Sequence, residues 1–292
     1  MSETPKTSET NKTAPFSNDT EQFKAKPIYL IPILASLLAG LGFSYLLLNN
    51  PIETLPVTPL PDTPSGSFGN ALYFVIILAV AATVFYLLIK RRNRKIISAL
   101  IGFALTSASV LLSLFYLSAL LSSFPNWEIY VITLTIIITI VFDLAIFRLG
   151  EVARNLVVVL LGGALGVFLG WSIPLISAIL ILAFLAVYDI VAVYKGPVGK
   201  IANSSGLDQL KGLSFSFKDI QMGLGDLVFY SMLTAAMLRS FTWLSYIVSF
   251  VGIIAGSFVT LLVLEKKAMF PGLPVPILLG LVGGLLASLI PV

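Results

Sequence analysis

The sequence contains no histidine and no cysteine, and only 11% of its 292 residues are charged. The missing residue types exclude zinc proteases with histidine ligands, Ser-His and Cys-His nucleophiles, thiolate or imidazole metal sites, and disulfide bonds. Any hydrolytic chemistry must therefore use carboxylates, hydroxyls, lysines or bound ions. Hydrophobic side chains make up 58% of the chain, more than one water-soluble core can bury. The composition therefore predicts a membrane protein.

Polar and apolar stretches divide the chain into a tail and a membrane domain. Residues 1–26 are rich in Ser, Thr, Lys and Glu, so we expect a disordered cytoplasmic tail. Residues 27–292 are expected to form an all-α transmembrane domain. Within it, helices one to six should occupy 27–194, a cytoplasmic loop 195–220, and helices seven to nine 221–292.

Nine apolar segments are long enough to cross a bilayer, for which a helix needs about 20 residues. The fifth and sixth are separated only by Gly170, Trp171, Ser172 and Pro174, which indicates a tight turn between two spans. The nine segments lie near residues 27–48, 71–90, 97–121, 127–147, 153–171, 173–194, 221–238, 242–264 and 274–291.

The distribution of positive charge predicts how these segments are oriented. When the nine segments alternate across the membrane, 17 of the 18 Lys and Arg residues fall on one side and only Arg239 falls on the other. Basic residues concentrate in cytoplasmic loops. We therefore expect a multi-pass protein of the cell membrane with its N-terminus in the cytoplasm and its C-terminus outside. The basic run at 90–95 is most simply an anchor at the cytoplasmic surface.

Three acidic residues lie inside apolar segments, where a carboxylate is costly and is usually functional. Asp189 precedes Lys195 by six residues and Asp226 follows Lys218 by eight, which places each about 9 to 12 Å from the same membrane surface. Asp143 lies one turn from the cytoplasmic end of segment four. We expect it to be structural, either paired with a nearby arginine or reaching toward the headgroups.

Two carboxylates at one depth allow peptide hydrolysis without histidine, cysteine or metal. If they face each other in a low dielectric they cannot both ionise, so they share one proton. The ionised carboxylate can then activate a water, while the protonated one polarises the scissile carbonyl and later donates to the leaving amine. A proton-coupled transporter could use the same pair as a relay. The acids alone leave both functions open, although nine spans without an evident repeat do not divide into matched halves.

The residues around the two acids form three motifs. They are Tyr188-Asp189, Gly223-Leu224-Gly225-Asp226 and Pro271-Gly272-Leu273-Pro274. In this combination the chain resembles the presenilin and signal peptide peptidase family of intramembrane aspartyl proteases, and its short loop between segments six and seven is most similar to that of archaeal presenilin homologues. The resemblance covers residues 27–292. One departure is Gly272, which stands where the family usually has alanine and adds flexibility.

The resemblance implies an aspartic endopeptidase that needs no cofactor or metal, cuts transmembrane helices in the bilayer, binds no nucleic acid and is able to form a homo-oligomer. It implies that Asp189 and Asp226 are the catalytic pair. It also implies that the substrate site is formed by Tyr188, Gly223, Leu224, Gly225, Pro271, Gly272, Leu273 and Pro274.

Two further patterns have more than one interpretation. Residues 212–217 alternate apolar and polar side chains, which favours either a strand that holds an unwound substrate or an amphipathic stretch at the membrane interface. Glycines recur every four residues at 162–170 and at 280–284. This spacing favours close packing within the chain over an oligomer contact or a hinge.

Overall fold

The computed structural model describes residues 24–52, 57–91, 94–194, 214–217, 220–267 and 270–291. These residues form nine α-helices, one short 3-10 turn (Pro27–Leu30) and one β-hairpin of strands β1 (Ser214–Phe217) and β2 (Ile220–Gly223). The expected tail and most of the loop that follows the sixth helix lie outside the described residues. The helices are α1 (Ile31–Asn49), α2 (Pro64–Lys90), α3 (Arg94–Leu121), α4 (Trp127–Phe147), α5 (Glu151–Ser172), α6 (Leu175–Tyr194), α7 (Leu224–Ser240), α8 (Trp243–Lys266) and α9 (Pro274–Ser288).

Seven of these helices, α1 to α6 and α8, are long and apolar enough to cross a membrane. The other two described helices are shorter, with 17 residues in α7 and 15 in α9. The expectation of an all-α, multi-pass membrane protein is therefore confirmed. The short length of α7 is explained by its position: from Leu227 to Leu238 nearly every side chain is buried by other helices, so little of α7 faces lipid.

The centre of the fold is the contact between α5 and α7, which depends on the absence of side chains from the facing surface of α5. A Cβ added to Gly166 would lie 2.8 Å from the Met232 backbone nitrogen, and one added to Gly170 would lie 2.7 Å from the Met232 carbonyl oxygen. Neither position has room for a side chain. The glycine spacing in α5 therefore serves packing within the chain, as the sequence predicts.

The last two helices form a second close contact, and glycines from both contribute to it. A Cβ added to Gly256 of α8 would lie 2.6 Å from the Pro276 Cα atom, and one added to Gly280 of α9 would lie 2.6 Å from Ile253. This contact holds the start of α9, and therefore the segment just before it, at a fixed position beside α7 and α8.

Two predicted segments start elsewhere in the structure. The second was expected near residue 71, but α2 begins at Pro64, where the Thr63 hydroxyl accepts a hydrogen bond from the Gly66 amide over 3.1 Å. This is a side-chain N-cap, which the apolar count alone does not detect. The seventh was expected from 221, but 220–223 form strand β2 and α7 starts only at Leu224. Conversely, the tight turn between the fifth and sixth helices is confirmed, because α5 ends at Ser172 and α6 begins at Leu175.

Candidate active site

Asp189 lies near the end of α6, half-buried, and is held by the backbone just before α9. The Leu273 amide donates a hydrogen bond to Asp189 Oδ2 over 3.0 Å, and Gly272 supplies a second backbone amide near the same carboxyl group. Leu273 itself is buried, with 7% of its surface exposed. Because α9 starts at Pro274, the amides of Gly272 and Leu273 precede the helix, have no partner within it and are free to point at Asp189.

Asp226 lies in the first turn of α7, immediately after the hairpin. The hairpin pairs Ser214 with Gly223, so β2 leads directly into Leu224 and brings Asp226 to the start of the helix. An acidic side chain is favourable there, because the N-terminal turn carries unpaired backbone amides and the positive end of the helix dipole. Strand β1 lies beside α5, which contributes to the position of the hairpin.

The two carboxyl groups meet at one short segment. While the Leu273 amide donates to Asp189, a Cβ added to Gly272 would lie 3.3 Å from Asp226 Oδ2. Asp189 and Asp226 are also close enough to interact electrostatically. Neighbouring residues of one segment therefore contact both aspartates, and the carboxylates that the sequence places at equal depth also lie on facing sides of their helices.

Tyr230 is a residue of this site that sequence reasoning missed. It is buried, with 3% of its surface exposed, and its hydroxyl donates to the Gly272 carbonyl oxygen over 2.9 Å. The available signal was its spacing: Tyr230 follows Asp226 by four residues, which places both side chains on one face of α7. Tyr188 precedes Asp189 in α6, is half-buried and interacts electrostatically with it.

The glycines before Asp226 border open space. Among the described residues, a Cβ added to Gly225 would meet only the Phe229 ring, at 3.8 Å, and one added to Gly223 would come no nearer than 3.9 Å to Asp226. Both glycines are exposed. They do not serve helix packing, and the backbone there is accessible to another molecule.

The segment before α9 is more buried than these glycines. Pro271 and Leu273 are buried, whereas Gly272 and Pro274 are partly exposed. Pro271 and Leu273 were expected to help form the substrate site. In the structure both side chains pack inside the protein, and it is the Leu273 backbone that contacts a catalytic candidate. Leu224 likewise packs partly against the core.

Asp143 lies in a separate part of the protein. Of the two expected roles, pairing with an arginine is not seen among the described residues: Thr106 of α3 donates to Asp143 over 2.9 Å, and Arg154 instead pairs with Glu151 at 3.5 Å. The α3–α4 contact places a hydroxyl directly opposite the carboxylate, which satisfies it without an arginine. The structural interpretation of Asp143 is therefore supported with a different partner.

The described residues contain no cluster of three or more His, Cys, Asp or Glu side chains that could hold a metal ion. Two half-buried carboxylates with a backbone amide on one of them are suited instead to acid–base catalysis by a shared proton.

Two family models match the sequence. Residues 33–211 match the family described as signal-peptide peptidase, presenilin aspartyl protease, and residues 202–291 match the presenilin family. A solved structure of a presenilin family intramembrane aspartate protease in a C222 crystal form has 19% identity and a TM-score of 0.64, and covers 90% of this chain and 99% of its own.

A second solved structure with the same description, in a P2 crystal form, has 22% identity and a TM-score of 0.61, and covers 88% of this chain and 95% of its own. No curated protein gives a significant match. The two structures share the fold. Because the first family match spans more than half of the sequence, the chain belongs to the signal-peptide peptidase and presenilin family of aspartyl proteases.

Proposed function

We propose that this protein cuts peptide bonds inside transmembrane helices of other membrane proteins, with Asp189 and Asp226 as the catalytic pair. The observation that carries the proposal is the convergence at residues 272 and 273, where one residue donates to Asp189 and its neighbour lies against Asp226. A pair of separately satisfied structural acids would not need a common contact. The alternative of a proton-coupled transporter gains no support from the family match.

The proposed chemistry is direct attack of water. The ionised aspartate takes a proton from a water whose oxygen bonds to the scissile carbonyl carbon, while the protonated aspartate donates its proton to the carbonyl oxygen. The tetrahedral intermediate then collapses. The carbon–nitrogen bond breaks, and the nitrogen receives its proton from the first aspartate rather than from the second, because the second has already given its proton to the carbonyl oxygen. A proton from the intermediate then returns to the second aspartate. The pair ends with one proton, ready for another cycle.

The β1–β2 hairpin suggests how the scissile peptide bond of a substrate reaches the two aspartates. A helical substrate hides its carbonyls in internal hydrogen bonds, so the region to be cut must become extended. Strand β2 ends at Gly223, three residues before Asp226, and the exposed glycines leave its surroundings open. An unwound substrate could pair with the hairpin edge and pass the aspartates as an extended chain. This accounts for Gly223, Leu224 and Gly225 as substrate contacts.

The proposal also includes the orientation of the helices in the cell membrane. With all nine helices crossing, the N-terminus lies in the cytoplasm, the C-terminus lies outside, and the aspartates lie in the cytoplasmic third of the bilayer. Length alone supports seven crossings. Burial by other helices supports a crossing by α7, which need not match the full thickness of the lipid. The close packing of one face of α9 against α8 supports a crossing by α9.

Cleavage by purified protein tests the proposal. A labelled single-span substrate in liposomes should be cut by the wild type, and Asp189→Asn and Asp226→Asn should each lower the rate by at least about 1000-fold, since the remaining group cannot share a proton. Asp143→Asn is the matched control, because it removes an intramembrane carboxylate elsewhere. Cleavage that survives either site substitution would refute the pair. If the wild type cut no substrate, proton-flux measurements would test the transporter alternative.

A further inference from the structure

One peptide group, between Gly272 and Leu273, makes two hydrogen bonds: it accepts one from Tyr230 and donates one to Asp189. The Gly272 carbonyl, which accepts from the Tyr230 hydroxyl at 2.9 Å, and the Leu273 amide, which donates to Asp189 at 3.0 Å, are the two ends of one planar unit. A donor on the oxygen polarises the unit and strengthens the donation from its nitrogen. A tyrosine of α7 is thereby coupled to the carboxylate of α6.

The two aspartates differ in the hydrogen bonds that their carboxyl groups accept. Asp189 accepts a hydrogen bond from the Leu273 amide, which stabilises its ionised form. Asp226 accepts no hydrogen bond from any described residue and lies against Gly272, an apolar neighbour on that side. When one proton is shared, this asymmetry places it on Asp226.

On the basis of the proposed function, we infer that Tyr230 is a positioning residue which, through the Gly272–Leu273 peptide, keeps Asp189 ionised as the general base and leaves the shared proton on Asp226. Tyr230 does not itself need to contact substrate. Its buried ring and its place one turn after Asp226 fix the direction from which the hydroxyl reaches the peptide. Tyr230 therefore sets the roles of the two aspartates while being bonded to neither.

The other titratable groups near Asp189 do not provide this asymmetry. Asp226 and Tyr230 face it from α7, and Tyr188 adjoins it in α6. Helix α9 carries no titratable side chain, and none of those on α2 donates to Asp189 among the described residues. The titratable residues of α2 are Tyr73, Tyr86 and Lys90.

The test compares two tyrosine-to-phenylalanine substitutions in full-length protein. Tyr230→Phe removes the donor to Gly272. Tyr246→Phe is the matched control, because Tyr246 is also 3% exposed and its hydroxyl donates to a backbone carbonyl, that of Leu37, at 3.3 Å. Thermal unfolding, kcat, KM and the pH dependence of kcat are measured for both variants and for the wild type.

We expect Tyr230→Phe to lower kcat by about fivefold to tenfold with little change in KM, because the Gly272 carbonyl loses its donor and the peptide can rotate. The acidic limb of its pH profile should move upward by up to about half a pH unit, since ionised Asp189 is less stabilised. Tyr246→Phe should lower thermal stability about as much as Tyr230→Phe does, but it should leave the acidic limb of the pH profile unchanged. Matching pH profiles for the two variants would overturn the inference.

A second variant keeps the test decisive if Tyr230→Phe unfolds. Replacing Tyr230 with para-aminophenylalanine retains a donor in nearly the same place, and should restore kcat and the acidic limb. A folded variant that retains this donor without restoring either would also overturn the inference. Loss of cleavage in Asp189→Asn and Asp226→Asn is measured alongside. If those two variants still cut the substrate, the proposed function has failed, whatever the result at Tyr230.

Discussion

Gly272 stands directly over the carboxyl group of Asp226, so that a Cβ added to it would lie 3.3 Å from Oδ2 and 3.7 Å from Cγ. A separation of 3.3 Å between this Cβ and Oδ2 is tight but tolerable, because rotation of the carboxylate can move its oxygen atoms by a few tenths of an ångström. Glycine here leaves Asp226 more space than alanine would.

This contact predicts a graded response to side-chain size. Gly272→Ala should retain cleavage within about threefold of the wild type, whereas Gly272→Val should lower kcat by about 100-fold, since overpacking at such a contact costs about 1 to 3 kcal/mol. Gly42→Val is the control, because a Cβ at Gly42 would meet nothing within 4 Å. Equal activity of the alanine and valine variants would show that Gly272 does not position Asp226.

Helix α5 should control activity through α7 without touching the aspartates. Gly166→Leu would place a side chain against the Met232 backbone nitrogen, 2.8 Å from its Cβ, and should push the two helices apart. We expect a loss of at least about 3 kcal/mol in the free energy of unfolding, measured by chemical denaturation, and loss of cleavage. A stable, fully active variant would contradict the close α5–α7 contact.

Asp143 should be dispensable for chemistry. Asp143→Asn keeps a side-chain oxygen that can accept from Thr106, so we expect cleavage within about twofold of the wild type and a stability change of no more than about 1 kcal/mol. Thr106→Val removes the donor and should destabilise the protein more, because it leaves a carboxylate unpaired inside the membrane domain. Cleavage rates of the wild type and Asp143→Asn in liposomes at one pH, together with the free energy of unfolding of both variants, check this prediction. Inactivity of a folded Asp143→Asn variant would make Asp143 part of the reaction.

The sequence shows the acids of the site more readily than their surroundings. The equal depth of Asp189 and Asp226 follows from counting residues to the nearest lysines, and the structure brings the two together. Their rotation about the helix axes could not be read from spacing, because it depends on the packing of α5, α8 and α9 around α7. Tyr230 was missed for the same reason: its partner is a backbone carbonyl 42 residues away, which leaves no pattern in the sequence.

The fold differs from the sequence expectation where backbone chemistry overrides hydrophobic length. Residues 214–217 form a strand, one of the two interpretations that the alternating pattern leaves open, but residues 221–223 of its partner were assigned to a helix because the segment is apolar enough to extend one. The hairpin shortens α7. Likewise, the pairing of Asp143 with an arginine is not seen among the described residues, because the α3–α4 contact supplies Thr106, a tertiary neighbour that proximity along the chain cannot identify.

The hairpin predicts a preference for substrates that unwind easily. Glycines introduced into a substrate helix just beyond the cut bond should raise the cleavage rate severalfold, because each costs the helix about 1 kcal/mol relative to alanine. Two consecutive prolines at the residues that would pair with β2 should lower the rate, since proline has no amide to donate. The same prolines placed one helical turn further away serve as the control. Equal rates for both proline substrates would argue against strand pairing.

The measurement that tests the account most directly is the pH dependence of kcat for wild-type protein cutting one labelled substrate in liposomes. Two carboxyl groups that share one proton must lose activity both when the pair gains a second proton and when it loses the first. We therefore expect a bell-shaped profile with two limbs, and no measurable cleavage at any pH in Asp189→Asn or Asp226→Asn. A wild-type profile with a single limb, or residual activity in either variant at any pH, would contradict a shared-proton pair.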